Sequence, residues 1–189
     1  MNKPRILFDL DDTITDFLEE LVNRYNKKYG TNFTKDHCYK WELNEIFENN
    51  ILELIDEEDF FDSVKPKRDA VKYMEKWVKN GQYDIFIVTS CLKPENYVKK
   101  IKWIEKHMPF FPKGRVIPLT EKSAIWGDVL VDDRPKNLQE WEKESPKVTK
   151  LCLLFDAPHN KECNSFIRVY DFEFLDNIFS SYFTYSCRA

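Results

Sequence analysis

Short apolar runs alternate along this chain with stretches of helical periodicity, and this alternation restricts the fold more than any other feature of the sequence. Each run is too short for a helix and is bounded by polar residues, which is typical of buried strands in a parallel sheet. The runs cover residues 6–8, 83–88, 115–117, 128–131 and 150–155. Strands that alternate with helices predict a doubly wound, Rossmann-like α/β sheet with helices on both faces and right-handed crossovers.

The stretches between the runs predict the helices. Asp16 and Glu19 have the spacing of a capping box at the start of the first helix, and Gly30 stands where that helix would end. Later helices are predicted over residues 70–80, 94–108, 135–141 and 171–179. Residues 15–65 are helical in pattern but broken, and they are rich in aromatic and acidic side chains. We therefore expect a small helical cap at 15–65, inserted after the first strand into an α/β core formed by residues 1–14 and 66–189.

Composition excludes several functional classes. The 189 residues suit one domain with an inserted lobe, and a net charge of −4 provides no basic surface for a nucleic acid polymer. Four glycines and no Gly-rich motif argue against a P-loop or a dinucleotide-binding loop. No stretch predicts a signal peptide or a membrane span. Five cysteines without paired spacing predict reduced thiols in a cytoplasmic protein, and they are Cys38, Cys91, Cys152, Cys163 and Cys187.

Polar side chains gather where the predicted strands end. They are Asp9 and Asp11 after the first strand, Thr89 and Ser90 after the second, Lys122 before the fourth, and Asp132 and Asp133 after it. The carboxyl ends of parallel strands lie along one edge of a sheet, where open α/β sheets bind ligands. Carboxylates that can hold Mg²⁺, hydroxyls that can hold phosphate oxygens and a cation are the groups that phosphoryl transfer needs.

Each of these groups also has an ordinary structural explanation. Thr89 and Ser90 are compatible with a helix cap, a single lysine such as Lys122 is usually solvated, and the pair Asp132 and Asp133 is compatible with a turn. The catalytic interpretation is favoured because all of these residues fall at the same edge of one predicted sheet.

The motifs resemble those of the haloacid dehalogenase superfamily of phosphohydrolases. The residues that carry this resemblance are Asp9-x-Asp11-x-Thr13, Thr89, Lys122 and Asp132-Asp133. Five further segments are similar to segments of the 5′(3′)-deoxyribonucleotidases. They are Asp59-Phe60-Phe61, residues 87–90, 119–122 and 128–135, and Pro158-His159-Asn160. Asp12-Thr13 differs from the Gly-Val that many nucleotidases have at this point. The resemblance implies a small helical cap after the first strand and an Mg²⁺-dependent phosphatase that acts on nucleoside monophosphates.

The resemblance also implies roles for individual residues. Asp9 is the expected nucleophile, since an ordinary Asp is ionised at neutral pH. Asp11 is the expected general acid and base. The implied Mg²⁺ ligands are the Asp9 carboxylate, the Asp11 backbone carbonyl and the acid pair, with Asp133 as the direct ligand and Asp132 in support. Thr89, Lys122 and, more weakly, Ser90 are expected to hold the phosphoryl oxygens.

Substrate specificity is expected to come from the cap. Phe17 matches a position that lines the nucleobase pocket of the nucleotidases, and Trp41 and Tyr39 are candidates to stack on a base. A small lobe also needs aromatic side chains for its own core, so the cap aromatics have a structural alternative. Arg134 is expected either to reach the substrate or to be a structural partner of Asp132.

Other functions are compatible with parts of this pattern. The same chemistry could serve a sugar phosphate or another small phosphate ester. A receiver-type signalling module also combines an acid pair, a Thr and a Lys on a doubly wound sheet, but there the phosphorylated Asp follows a later strand and no lobe follows the first. A catalytically silent binding protein would not need Asp9, Asp11, Lys122 and Asp133 together. The expected partner is a small phosphate ester, and the pattern leaves a homodimer open.

Overall fold

A computed structural model of the chain describes residues 3–91, 93–144 and 150–186. Its centre is a six-stranded sheet with the order β3-β2-β1-β4-β5-β6, and every neighbouring pair is parallel. The strands are β1 (Arg5–Phe8), β2 (Asp84–Thr89), β3 (Val116–Pro118), β4 (Val129–Asp132), β5 (Leu151–Phe155) and β6 (Ile167–Val169). This arrangement confirms the predicted doubly wound α/β fold.

Within the described residues, six α-helices connect or flank the strands. They are α1 (Phe17–Tyr29), α2 (Phe60–Ser63), α3 (Ala70–Asn80), α4 (Pro94–His107), α5 (Pro135–Lys143) and α6 (Phe172–Ser186). Shorter 3₁₀ turns occupy Lys35–His37, Leu43–Glu45, Ile51–Asp56, Lys113–Arg115, Lys122–Ala124 and Pro158–Asn160. Prolines open α4 and α5, where the missing N–H costs nothing. None of the helices in the described ranges is long and apolar enough to cross a membrane.

The strand order determines where a ligand can bind. The chain adds β2 and β3 on one side of β1 and then β4, β5 and β6 on the other. The direction of winding therefore reverses between β1 and β4, and the connecting helices diverge there and leave a crevice beyond the carboxyl ends of the two strands. The strands that carry the Asp9 and Asp132 motifs are thus direct neighbours.

Alternate residues of β1 face opposite layers of the core, as strand geometry requires. The ring of Phe8 stacks on that of Trp77 in α3 at 5.7 Å between centroids and meets Phe179 of α6 at 6.2 Å. Leu7 faces the other layer, in a cluster with Trp141 of α5. Both faces of β1 are therefore covered by packed side chains, which makes this strand a rigid support for the acids that follow it.

The sixth strand, β6, was missed from the sequence. Its three residues are exposed, half-buried and buried in turn, so the segment contains no apolar run. The predicted capping box at Asp16 and Glu19 is not formed. The Asp16 side chain makes no hydrogen bond to the start of the helix and instead lies 3.1 Å from the Lys67 ammonium. Asp12 takes its place, because its Oδ1 accepts a hydrogen bond from the Leu18 amide at 3.1 Å.

The segment between β1 and α3 leaves and rejoins the core at one point. Thr15 and Pro66 form an antiparallel bridge, the Asp16 amide donates to the Lys65 carbonyl at 2.8 Å, and the Lys67 amide donates to Ile14 at 2.8 Å. The helix α1 is its one long helix within the described chain, and α2 and 3₁₀ turns make up most of its other regular structure. Cys38, Cys91, Cys152 and Cys163 are free thiols, and Cys187 lies outside the described residues.

Candidate active site

The two acid motifs meet because their strands are hydrogen-bonded neighbours. The Asp9 amide donates to the Val131 carbonyl at 2.9 Å, which continues the β1–β4 ladder by one residue. Asp132 ends β4 and Asp133 follows it. Asp9, Asp132 and Asp133 are buried, with exposed fractions of 7%, 0% and 4%. Three carboxyl groups are therefore largely buried in one crevice, where their charges need compensation.

Lys122 provides part of that compensation. Its Nζ donates to Asp9 Oδ1 and, at 2.6 Å, to Asp132 Oδ2, and the side chain is almost fully buried. Both Asp132 oxygens are occupied, because the Arg134 amide donates to Oδ1 at 2.8 Å and Asn137 Nδ2 lies within 3.1 Å of both. Asp132 thus holds Lys122 in place and has little capacity left for another ligand.

Electrostatic effects on these groups oppose one another. Burial raises the pKa of Asp9 well above its ordinary value; Lys122 acts against this, and the neighbouring acids, with Asp132 first, add to it. Burial likewise raises the pKa of Asp132 against the attraction of Lys122. Burial would lower the pKa of Lys122, but Asp132 and Asp9 outweigh it and raise that pKa above its ordinary value. The crevice therefore carries more buried negative charge than one lysine offsets.

Asp133 is fixed from the loop after β5. His159 Nε2 lies 3.1 Å from Asp133 Oδ2, and Asn160 Nδ2 donates to the Asp133 carbonyl at 2.7 Å. Burial acts to lower the pKa of His159, but its hydrogen bond with Asp133 and the charge of that acid raise it. The sequence pointed to this loop only through its resemblance to a family segment and assigned no role to these two residues.

A second lysine lies on the other side of the site and was missed from the sequence. Lys100 of α4 is 3% exposed, and its Nζ donates to Asp11 Oδ2 at 2.5 Å. It also donates to Thr89 Oγ1 at 2.8 Å and to the Ser90 carbonyl at 2.7 Å. The signal was present, because Lys100 is three residues after Tyr97 and four before Ile104, on the apolar stripe of the helix.

Asp12 connects the catalytic loop to the inserted segment. Its φ is +54°, in the left-handed region that favours glycine, and its side chain caps the start of α1 through the Leu18 amide. Burial raises the pKa of Asp12 to about 7, with Lys67 opposing this shift. The left-handed backbone conformation of Asp12 costs some local strain, and the hydrogen bond from its side chain to α1 offsets that cost.

A cavity of about 300 Å³ opens over the acids and is roofed by the inserted segment. Among the predicted site residues, its lining includes Asp9, Asp11, Phe17, Trp41, Ser90, Lys122, Asp133 and Arg134. Thr89 is fully buried behind Ser90, and Tyr39 is 61% exposed and does not belong to this lining. The Arg134 guanidinium lies 4.2 Å from the centre of the Trp41 ring, and that ring meets His159 edge-on at 5.1 Å.

Some aromatic side chains of the inserted segment pack in its own core and do not line the cavity. Tyr25 of α1 packs against Phe47 at 4.7 Å and Phe33 at 5.9 Å between ring centroids, and these contacts form the core of the inserted segment. Trp41 is different, because 45% of its surface is exposed and it faces the cavity.

Across the described residues, no group of three or more His, Cys, Asp and Glu side chains is arranged to hold a metal ion, and the Lys122 ammonium lies between Asp9 and Asp132.

Comparison with known protein families identifies one that covers most of the chain. The profile of the family described as 5′ nucleotidase, deoxy (pyrimidine), cytosolic type C protein matches residues 3–180. A 5′(3′)-deoxyribonucleotidase from Bacillus subtilis is 28% identical over 178 residues, which cover 92% of this chain and 97% of the relative. A 5′(3′)-deoxyribonucleotidase from Clostridium acetobutylicum is 29% identical over 175 residues, covering 90% and 92%.

Solved structures of similar shape share the fold at low sequence identity. A haloacid dehalogenase (HAD) family hydrolase from Deinococcus radiodurans R1, solved with bound phosphate and sodium, has a TM-score of 0.64 at 7% identity over 95% of this chain and 96% of that one. The HAD-hydrolase YfnB from Bacillus subtilis, solved with magnesium, has a TM-score of 0.53 at 17% identity over 94% and 99%. These similarities support the HAD fold for the whole described chain.

Proposed function

The chain belongs to the deoxy (pyrimidine) cytosolic type C 5′ nucleotidase family of the HAD superfamily, and from this premise we propose that it is an Mg²⁺-dependent 5′(3′)-deoxyribonucleotidase acting through an aspartyl-phosphate. Family membership makes the protein a nucleotide phosphatase, that is, a phosphoric monoester hydrolase. The deoxynucleotide substrate, the metal and the covalent intermediate are the proposed part.

One observation carries the proposal. Asp9, Asp11 and Asp133 line the same cavity as Lys122, at the crevice between β1 and β4. This is the set of groups needed to attack a phosphoryl group, move a proton and neutralise charge. A receiver module would carry its phosphorylated Asp on a later strand and would lack the segment that roofs the cavity here.

The chemistry of the acids fits an Mg²⁺ ion. Asp9, Asp11, Asp132 and Asp133 outnumber the buried lysines, and burial together with the neighbouring acids raises the pKa of Asp9. The Asp9 carboxylate, the Asp11 carbonyl and the Asp133 carboxylate would hold the ion, since oxygen is the ligand that Mg²⁺ prefers. When bound, the ion offsets the repulsion between the nucleophile and the phosphate. Asp132 is left to hold Lys122.

In the first half of the reaction, a carboxylate oxygen of Asp9 attacks the phosphorus atom. A new O–P bond forms, and the bond between phosphorus and the nucleoside oxygen breaks. Asp11 gives its proton to the departing nucleoside oxygen. Lys122 compensates the negative charge of the Asp9 carboxylate and of the phosphoryl oxygens near it.

In the second half, a water molecule attacks the phosphorus atom of the phosphorylated Asp9. Asp11, now a carboxylate, takes a proton from this water, and the bond between phosphorus and Asp9 breaks. Inorganic phosphate leaves, and both carboxyl groups return to their starting states. Ser90 lines the same cavity as Asp11 and would contact a phosphoryl oxygen. Thr89, which the sequence also assigned to the phosphoryl oxygens, is fully buried outside this lining, and its hydroxyl accepts a hydrogen bond from Lys100 at 2.8 Å.

Substrate selection belongs to the segment 15–65, which we treat as the cap over a core of residues 1–14 and 66–189. Phe17 and Trp41 present aromatic surface to the cavity, and Arg134 stacks on Trp41 with its guanidinium beside the space for a substrate. A nucleobase has a planar face and polar edges that match these groups.

The decisive experiment measures phosphate release from a panel of 2′-deoxyribonucleoside, ribonucleoside and sugar monophosphates, with Mg²⁺ and with EDTA. We expect a preference for deoxynucleotides, no release in EDTA, and a covalent phospho-enzyme that Asp9→Asn abolishes. A preference for sugar phosphates would replace the substrate assignment, and unchanged hydrolysis by Asp9→Asn would overturn the mechanism.

The cap assignment is tested by Trp41→Ala with Tyr39→Ala as the matched control. Loss of one stacking partner is worth roughly 1–3 kcal/mol, so KM for the nucleotide should rise by about one order of magnitude or more in Trp41→Ala. Tyr39 is 61% exposed outside the cavity lining, so its replacement should leave KM unchanged. Equal KM values for the two variants would remove Trp41 from the substrate site.

A further inference from the structure

Lys100 lies at the catalytic crevice without belonging to any of the motifs from which the site was predicted. It comes from the middle of α4, 89 residues after its acceptor Asp11. A lysine is rarely this deeply buried unless its charge is paired. Its position therefore calls for an explanation in terms of what its ammonium group holds.

All three donors of the Lys100 ammonium are used by groups of the chain itself. They go to Asp11 Oδ2 at 2.5 Å, to Thr89 Oγ1 at 2.8 Å and to the Ser90 carbonyl at 2.7 Å. A lysine ammonium has three N–H groups and no acceptor. The group is therefore saturated and has no donor left for a phosphoryl oxygen, in contrast to a lysine that binds substrate directly.

The three acceptors come from the two strand ends that must cooperate in the reaction. Asp11 follows β1, and Thr89 and Ser90 end and follow β2, which pairs with β1 in the sheet. Side-chain positions that are not enforced by packing are usually too loose for efficient proton transfer, and a buried three-way hydrogen bond fixes them.

We propose that Lys100 is a positioning residue that holds the Asp11 carboxyl group against the β2 strand end, with one oxygen tied to the ammonium and the other left to exchange a proton with the substrate. This inference rests on the proposed role of Asp11. It assigns to Lys100 an effect on leaving-group protonation and none on phosphate binding.

The test uses two substrates that differ in their need for a proton. A deoxynucleoside monophosphate releases an alkoxide that must be protonated, whereas p-nitrophenyl phosphate releases an aryl oxide that leaves without a proton. The quantity to compare is kcat/KM, because it covers the steps up to the departure of the leaving group and excludes the later hydrolysis of the phospho-enzyme. A burst of p-nitrophenolate measures the first step directly.

In Lys100→Met, kcat/KM for the nucleotide should fall by roughly 10²–10⁴-fold, the usual contribution of general acid catalysis, while kcat/KM for p-nitrophenyl phosphate stays within about tenfold. Lys102→Met, at an exposed position of α4, is the control and should change neither value. Equal losses on both substrates in Lys100→Met would overturn the inference. So would a weaker competitive inhibition by inorganic phosphate, since it would make Lys100 a phosphate ligand.

Asp11→Asn separates the inference from the proposed function. If Asp11→Asn shows no selective loss on the nucleotide, the acid role of Asp11 fails. If Asp11→Asn is selective and Lys100→Met is not, only the inference about Lys100 fails. Should Lys100→Met not fold, the double variant Asp11→Asn/Lys100→Met, which leaves no unpaired buried charge, is compared with Asp11→Asn alone. We expect no further loss of kcat/KM; an additional loss would refute action through Asp11.

Discussion

Asn160 links the stability of the β5–β6 region to the position of the proposed metal ligand Asp133. The side chain is 2% exposed and makes four hydrogen bonds. Its Nδ2 donates to the carbonyls of Asp133 at 2.7 Å and Phe155 at 2.8 Å. Its Oδ1 accepts from the Ala157 amide at 3.2 Å and from Arg168 at 2.6 Å.

The variant Asn160→Ala removes these bonds and leaves buried backbone groups without partners. Each neutral bond contributes about 1 kcal/mol net, and the bond to the charged Arg168 contributes more. Arg168 keeps Asp156 as a partner at 2.9 Å, which limits its share of the loss. We therefore expect the free energy of unfolding to fall by roughly 3–5 kcal/mol. In a domain of this size that corresponds to a melting temperature lower by about 10 °C.

Urea denaturation of the metal-free protein measures this loss, with Asn164→Ala as the control. Asn164 is exposed and donates one bond, to the Glu162 carbonyl at 3.3 Å, so its replacement should be nearly neutral. Because Asn160 holds Asp133, the Mg²⁺ concentration for half-maximal activity should also rise by about 10–100-fold, as is usual for partners of metal ligands. A loss of less than about 1 kcal/mol, or an unchanged Mg²⁺ requirement, would refute the reasoning.

Two further predictions concern parts of the chain away from the acids. In Gly127→Ala the new methyl group would lie 2.8 Å from the buried Leu7 side chain, so the variant should lose about 1–3 kcal/mol of stability in urea denaturation, whereas Gly114→Ala, which meets no atom within 4 Å, should be neutral. Hydrogen bonding to Arg24 holds the pKa of Asp59 below its ordinary value, so this ion pair stabilises the fold above the unfolded-state pKa and its contribution disappears as the pH falls through the lower, folded-state pKa. Asp59→Asn should therefore lower the melting temperature at pH 7, and this loss should shrink as the pH falls through the folded-state pKa of Asp59; a loss that stays the same throughout an acid titration would contradict this.

Local sequence determined most of the fold and half of the site. The apolar runs identified five strands because a strand buried on both faces needs apolar residues along its whole length. Four groups, Asp9, Asp11, Asp133 and the Ser90 hydroxyl, could be assigned to one cavity because each lies a few residues at most beyond the end of a strand, and the ends of parallel strands share an edge. The strand β6 was not predicted because it is a partly exposed edge strand and therefore contains no continuous apolar run.

Tertiary structure alone decided which groups pair across that edge. Strand order depends on contacts between residues far apart in the chain, so the adjacency of β1 and β4 could not be obtained from local pattern. The same is true of Lys100, whose charge on an apolar helical stripe becomes meaningful only when the fold brings Asp11 to within 2.5 Å of it. It also holds for Asp132: the residue is adjacent to Asp133 in sequence, but its buried oxygens accept hydrogen bonds from Lys122, the Arg134 amide and Asn137. Sequence thus determined the chemical groups, and packing determined which carboxylate each cation serves.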